Sequence, residues 1–125
     1  MDRHLVAEAD PWTQVNGAAA MRQLLERGAR FDAVFAFNDS LALGAMRALD
    51  DAGLHVPTDI AVIGIDNIAE SAYSIPSLTT VDLGGRRIAE TAVAALAEQV
   101  LSSERPAPRR VLVDFGLVVR ESTGR

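Results

Sequence analysis

At 125 residues the chain allows one small domain or a piece of a larger one, and 49% apolar side chains are ample for a packed core. Disorder requires low hydrophobicity with high net charge, and this composition lacks that combination. The formal charge of −5 comes from acids and bases scattered along the chain, so no basic patch supports direct nucleic-acid binding by these residues.

The first candidate element is a short strand, "HLVAEA" at 4–9. Asp10-Pro11 then opens a helix, with Asp as its cap and Pro in its first position. Ala18, Met21, Leu24 and Leu25 give that helix an apolar stripe, and Gly28 is placed to stop it. "FDAVFAF" at 31–37 is a continuous apolar run, the pattern of a strand covered on both faces. Leu41, Ala45, Ala48, Leu49 and Ala52 recur at helical spacing up to Gly53, and "LHVPTD" connects to a second apolar strand, "IAVIGI" at 60–65. A loop with Tyr73 and Pro76 leads to "LTTVDL" at 78–83. Gly84-Gly85 breaks it, and Ile88, Ala92, Ala95, Leu96 and Val100 predict a third helix over 86–103. "SSERPAPRR" is linker-like, and "VLVDFGLVVRE" predicts one or two strands split at Gly116. Strands alternating with helices imply an α/β fold, an open parallel sheet with helices on both faces.

Ligands of such sheets bind beyond the carboxyl ends of the strands. Asn38-Asp39 follows one apolar strand and Asp66-Asn67 follows the next, so adjacent parallel strands would bring both pairs to one rim. An Asn offers donors and an acceptor, and an Asp offers two acceptors, a set that suits the vicinal hydroxyls of a sugar or nucleoside. Trp12 lies near the same rim, where an indole face can stack on a sugar ring or base. Plainer roles compete with each of these. Asp39 or Ser40 can cap the following helix, Asn38 can shape the turn, Asp66 can brace a loop, and Trp12 can pack.

Catalysis finds less support. Ser40, Ser71, Ser74 and Ser77 lack a G-x-S-x-G elbow. Asp39 and Asp66 could pair as catalytic carboxylates, but nothing completes such a site, so the chain is expected not to be an enzyme. No G-x-G-x-x-G or P-loop appears. The absence of cysteine excludes disulfides and thiolate metal sites. His4 and His55 stand in no ligand pattern, so neither a metal nor a cofactor is expected. "MDRHLVAEADPW" is unlike a secretory leader, and no stretch has the length of a membrane span, so a cytoplasmic location is expected.

The block "FDAVFAFNDSLALGAMRALDDAGLHVPTDIAVIGIDNI", with "YSIPSLTTV" and "LVVRESTG", resembles the LacI/GalR family of bacterial transcription regulators from about Trp12 to Ser122. The resemblance implies a periplasmic-binding-protein-like type I core of two α/β lobes with a small effector, a sugar or nucleobase, between them. It implies effector contacts at Trp12, Asn38 and Asp66. It also implies a homodimer contact through Leu43, Arg47, Tyr73 and Ile75; Leu43 and Arg47 fall off the core-facing stripe of their helix. Residues 1–83 correspond to most of the C-terminal lobe, 84–114 to a helix and strand returning to the N-terminal lobe, and 115–125 to a strand and tail returning to the C-terminal lobe. The family's helix-turn-helix, through which operator DNA is bound, has no counterpart in these residues. The chain is therefore expected to be an effector-sensing fragment of a repressor-type regulator. Sugar-binding transport proteins share the fold and are the alternative. "VDLGGRR" departs from the family's usual residues after "TTV".

Overall fold

The computed structural model describes residues 2–102 and 107–124. Four strands form one open sheet in the order β1 (Ala33–Phe35), β2 (Ala61–Ile65), β3 (Thr79–Asp82), β4 (Gly116–Val118). β1–β2 and β2–β3 are parallel, and β4 returns antiparallel to β3 with Thr80 opposite Val118. The sheet is thus mostly parallel, with its one antiparallel strand at an edge.

The core is built by α1 (Gln14–Glu26), α2 (Asp39–Asp51) and the inner strands. Met21 and Leu24 of α1 meet Leu41, Ala45, Ala48 and Leu49 of α2 over Val62 and Leu78, all of them buried. This is the expected stripe, apart from Ala52, which caps the helix and is exposed. The two helices approach backbone to backbone. A Cβ at Gly17 would strike the Leu41 carbonyl, and one at Gly44 would strike that of Gln14. Both helices stop where expected. Gly28 and Gly53 take the left-handed conformation, and the amides of Gly53 and Leu54 donate back to Asp50 and Leu49 at 2.9 Å each, a Schellman closure.

Several elements differ from the sequence expectation. Residues 4–9 form no strand. A short 3-10 turn (Arg3–Leu5) is followed by irregular chain, since among the described residues nothing supplies the backbone partners a strand needs. Helix α1 starts three residues beyond Pro11, because the Thr13 hydroxyl accepts from the Asn16 amide and is the true cap. β1 is shorter than 31–37, and it is an edge strand open on one face: Phe35 is 54% and Phe37 62% exposed. The loop after β2 contains one more short helix, α3 (Ala69–Tyr73).

The third expected helix, α4, runs Gly85–Leu101 and has no buried residue; of the predicted 86–103 span, 103 lies outside the described residues, as do 104–106 of the linker. The strand expected near 110–114 does not form. Residues 107–115 carry no regular structure, and pairing starts only at Gly116, where β3 is within reach. The C-terminal segment is nevertheless tied firmly to the sheet. The buried Ser122 hydroxyl donates to the Val62 carbonyl at 2.6 Å and accepts from the Thr79 amide at 2.8 Å.

Candidate functional site

Because β1 and β2 are parallel neighbours, the residues that follow them leave the sheet at the same end. Asn38 comes after β1 and Asp66 directly after β2, so the structure brings these two sequence-selected residues to one rim.

Asn38 is the N-cap of α2. Its Oδ1 accepts from the Leu41 amide at 2.8 Å, and its Nδ2 donates to the Trp12 carbonyl at 3.4 Å. The cap expected of Asp39 or Ser40 is therefore made by Asn38, an equally good capping type. One amide proton and one lone pair of its side chain remain for a ligand. The same bond fixes Trp12 to the rim. Its indole is 56% exposed and stacks on Phe37, centroids 6.2 Å apart at 24°. Phe35 meets Phe37 edge-on at 5.4 Å. An apolar groove of about 270 Å³ starts beside this aromatic group and runs between 5–9 and 33–37.

Asp39 has a different task. It is fully buried, and its carboxylate accepts from Thr80 Oγ1 at 2.6 Å, Ser71 Oγ at 2.6 Å and the Ile68 amide at 3.0 Å. Gly64 makes room for it: a Cβ there would collide with Asp39 Oδ1. A sealed carboxylate with both oxygens engaged cannot reach a substrate, so Asp39 and Asp66 are not a catalytic pair. Asp39 is the brace that fastens the loop after β2 to the start of α2.

Asp66 projects from that braced loop. Its backbone has a φ of 114°, and its amide donates to the Val81 carbonyl at 3.0 Å. Its carboxylate is exposed and accepts no hydrogen bond among the described residues. Partial burial raises its pKa above the ordinary Asp value, and the nearby Asp39 charge adds to the rise. A carboxylate held out from a rigid turn without an internal partner is a ready acceptor for ligand hydroxyls. The sequence placed Asn67 at this rim beside Asp66 but gave no sign of Arg120, which anchors the turn together with Asn67. The only signal for Arg120 is its position after β4.

The residues singled out for a dimer contact lie elsewhere. Tyr73 is 86% and Ile75 97% exposed, Leu43 is half-buried, and Arg47 is exposed and paired with Asp51 at 2.8 Å. Among the described residues no cluster of three metal-type ligands occurs, and no helix is long and apolar enough to cross a membrane.

Residues 2–123 match the family model described as a periplasmic binding protein-like domain. The chain is 42% identical over 107 residues to the HTH-type transcriptional repressor PurR of Yersinia enterocolitica, which covers 86% of this chain and 31% of that protein. Its fold is similar to the structure of a LacI-family transcriptional regulator from Sanguibacter keddieii, with a TM-score of 0.93 and 45% identity over 100% of this chain and 46% of that one. It is also similar to the transcriptional regulator CelR in its cellobiose complex, with a TM-score of 0.89, 35% identity, and 98% of this chain and 37% of that one covered. The chain thus spans less than half the length of each of these proteins.

Proposed function

The chain belongs to the periplasmic binding protein-like family in its LacI-type regulator branch, and from that premise we propose that it is the C-terminal part of an effector-sensing domain whose ligand is a sugar or a similar polyol. Asn38 and Asp66 bind ligand hydroxyls, and Trp12 stacks on the ring. The observation that carries the reading is the Asp66 carboxylate, which accepts no hydrogen bond among the described residues and lies at the same end of the sheet as the Asn38–Trp12 pair. The protein acts by binding, without chemistry: its relatives are transcription regulators, Asp39 is sealed, and Asp82 at the end of β3 is engaged by the Asn67 side chain and the Gly84 amide.

In the longer protein the ligand would lie between this lobe and a second one, to which 84–114 contribute, while 115–125 complete this lobe. Ligand closure would change how a homodimer, joined through Leu43, Arg47, Tyr73 and Ile75, presents a separate helix-turn-helix to operator DNA in the cytoplasm. Such coupling requires the ligand to favour one arrangement of the lobes over the other.

Trp12 is the single tryptophan, so its fluorescence reports on the rim alone. The regulator that was solved with cellobiose makes that disaccharide the first probe. Half a cleft binds weakly, so the titration should extend to about 10 mM or more, where binding is worth only about 3 kcal/mol. A saturable change in Trp12 emission that is lost in Asp66→Asn supports the proposal. A change that Asp66→Asn leaves untouched contradicts it.

A further inference from the structure

Arg120 follows β4, is half-buried, and has no part in the ligand contacts proposed above. Its guanidinium is a two-pronged clasp. Nη1 donates to the Leu78 carbonyl and Nη2 to Asn67 Oδ1, both at 2.7 Å, while its backbone amide donates to Thr79 Oγ1 at 2.8 Å. Asn67 is engaged on every side. Its Nδ2 donates to Asp82 Oδ2 at 3.1 Å and its amide to Thr80 Oγ1 at 3.2 Å.

This clasp surrounds the two non-glycine residues with positive φ in the described chain, Asp66 at 114° and Asn67 at 54°. A Cβ makes that region unfavourable, and Asn tolerates it better than most residues. Two such residues in succession persist only where the surroundings over-determine the backbone. Asp39 holds the loop from one side through the Ile68 amide. On the other side the restraint comes from Asn67, whose side chain is held by Arg120 at 2.7 Å and, over a longer bond, by Asp82 at 3.1 Å. The planar guanidinium suits the task, because a fixed fork can serve two acceptors at once where an ammonium acts as a point charge.

We propose that Arg120 is a positioning residue of the rim: by clasping the Asn67 side chain, it holds the 66–67 backbone in the turn that presents the Asp66 carboxylate beyond β2. It thereby ties the C-terminal segment to the ligand side of the sheet. The functional meaning rests on Asp66 being a ligand contact; the clasp itself does not.

The competing role is a sheet staple acting through Leu78 alone. Arg120→Lys separates the two, since a lysine keeps a donor for the Leu78 carbonyl but loses the planar fork that addresses the Leu78 carbonyl and Asn67 Oδ1 from two separate nitrogens. Asn67→Gly is the second variant. Glycine adopts positive φ freely and keeps the fold while removing the clasped side chain.

The measurement is amide exchange and ¹H–¹⁵N spectra of the 125-residue chain. In Arg120→Lys the amides of Asp66 and Asn67 should shift and exchange about tenfold faster or more, with the amides of Leu49 and Val62 and the thermal midpoint unchanged. Asn67→Gly should show the same change at residue 66. The double variant should add nothing, the non-additivity of two residues in one network.

Unchanged exchange at 66–67 in Arg120→Lys would overturn the proposal. So would a rise spread over the whole sheet with a lowered midpoint, the signature of a staple. In the cellobiose titration Arg120→Lys should bind about tenfold more weakly than the parent chain. If the parent chain does not respond to cellobiose while the local exchange change appears, the saccharide reading fails and the clasp stands.

Discussion

The carboxylate of Asp39 accepts three hydrogen bonds in a fully buried site, whereas that of Asp66 is exposed and accepts none among the described residues. Asp39→Asn turns one of those acceptors into a donor facing the Ile68 amide or a hydroxyl. A buried donor left without an acceptor should destabilise the fold by about 2–3 kcal/mol, read as a lowered urea midpoint. Asp66→Asn should act in the opposite direction. Burial raises the folded-state pKa of Asp66, so the folded chain holds that proton more tightly than the unfolded one. Stability therefore falls as pH rises through the carboxylate range. Removing the ionisation should raise the thermal midpoint at pH 7 and leave it unchanged at pH 2. A midpoint that drops at pH 7 would mean that Asp66 is a structural brace. Both aspartates follow apolar strands, so their shared position was legible in the sequence. Their division of labour was not. Thr80 and Ser71, which donate hydrogen bonds to Asp39, are far along the chain, and the Asn38 cap is one of several the local types allowed.

At the scale of elements, α1 and α2 form the rigid part of the molecule, and their contact depends on two glycines. Gly44→Ala places a Cβ on the Gln14 backbone, where neither partner can rotate away. The helices must separate, at a cost of about 3 kcal/mol, the upper part of the usual range for overpacking. A fall in stability of under about 0.5 kcal/mol would mean that the interface is looser than described. Helix α4 is at the other extreme. Ile88, Val93, Leu96 and Val100 are 46%, 67%, 61% and 75% exposed, and none of its residues is buried. Helices draw most of their stability from packing an apolar face. Hydrogen exchange in α4 of the isolated chain should therefore be about a hundredfold faster than in α2. Equal protection in the two would show that α4 is covered in solution. The sequence made α1, α2, β2 and both glycine stops legible, because periodicity and turn chemistry are local. It misplaced strands at 4–9 and 110–114, since an apolar or alternating run becomes a strand only with a partner edge beside it.

For the whole molecule, the open face of β1, the uncovered α4 and the Tyr73–Ile75 prominence leave apolar surface of the kind that marks interaction sites. The family was legible because its motifs occupy the turn between strand and helix, where the Asn38 cap and the buried Asp39 brace restrict residue choice. The expected dimer contact at Leu43, Arg47, Tyr73 and Ile75 came only from that resemblance. If Tyr73 and Ile75 join two copies, Ile75→Glu should shift light-scattering mass toward the monomer without lowering the thermal midpoint, because the side chain is 97% exposed in one copy. An unchanged mass for a self-associating parent chain would place the contact elsewhere.

The central claim concerns a single rim, and spectra of the isotope-labelled chain titrated with the disaccharide test it most directly. The account predicts saturating shifts of the Trp12 indole N–H, the Asn38 side-chain amide and the Asp66 backbone amide, on one common isotherm that Asp66→Asn abolishes. Saturating shifts confined to the opposite end of the sheet, near Ile60 and Ala61, would contradict it.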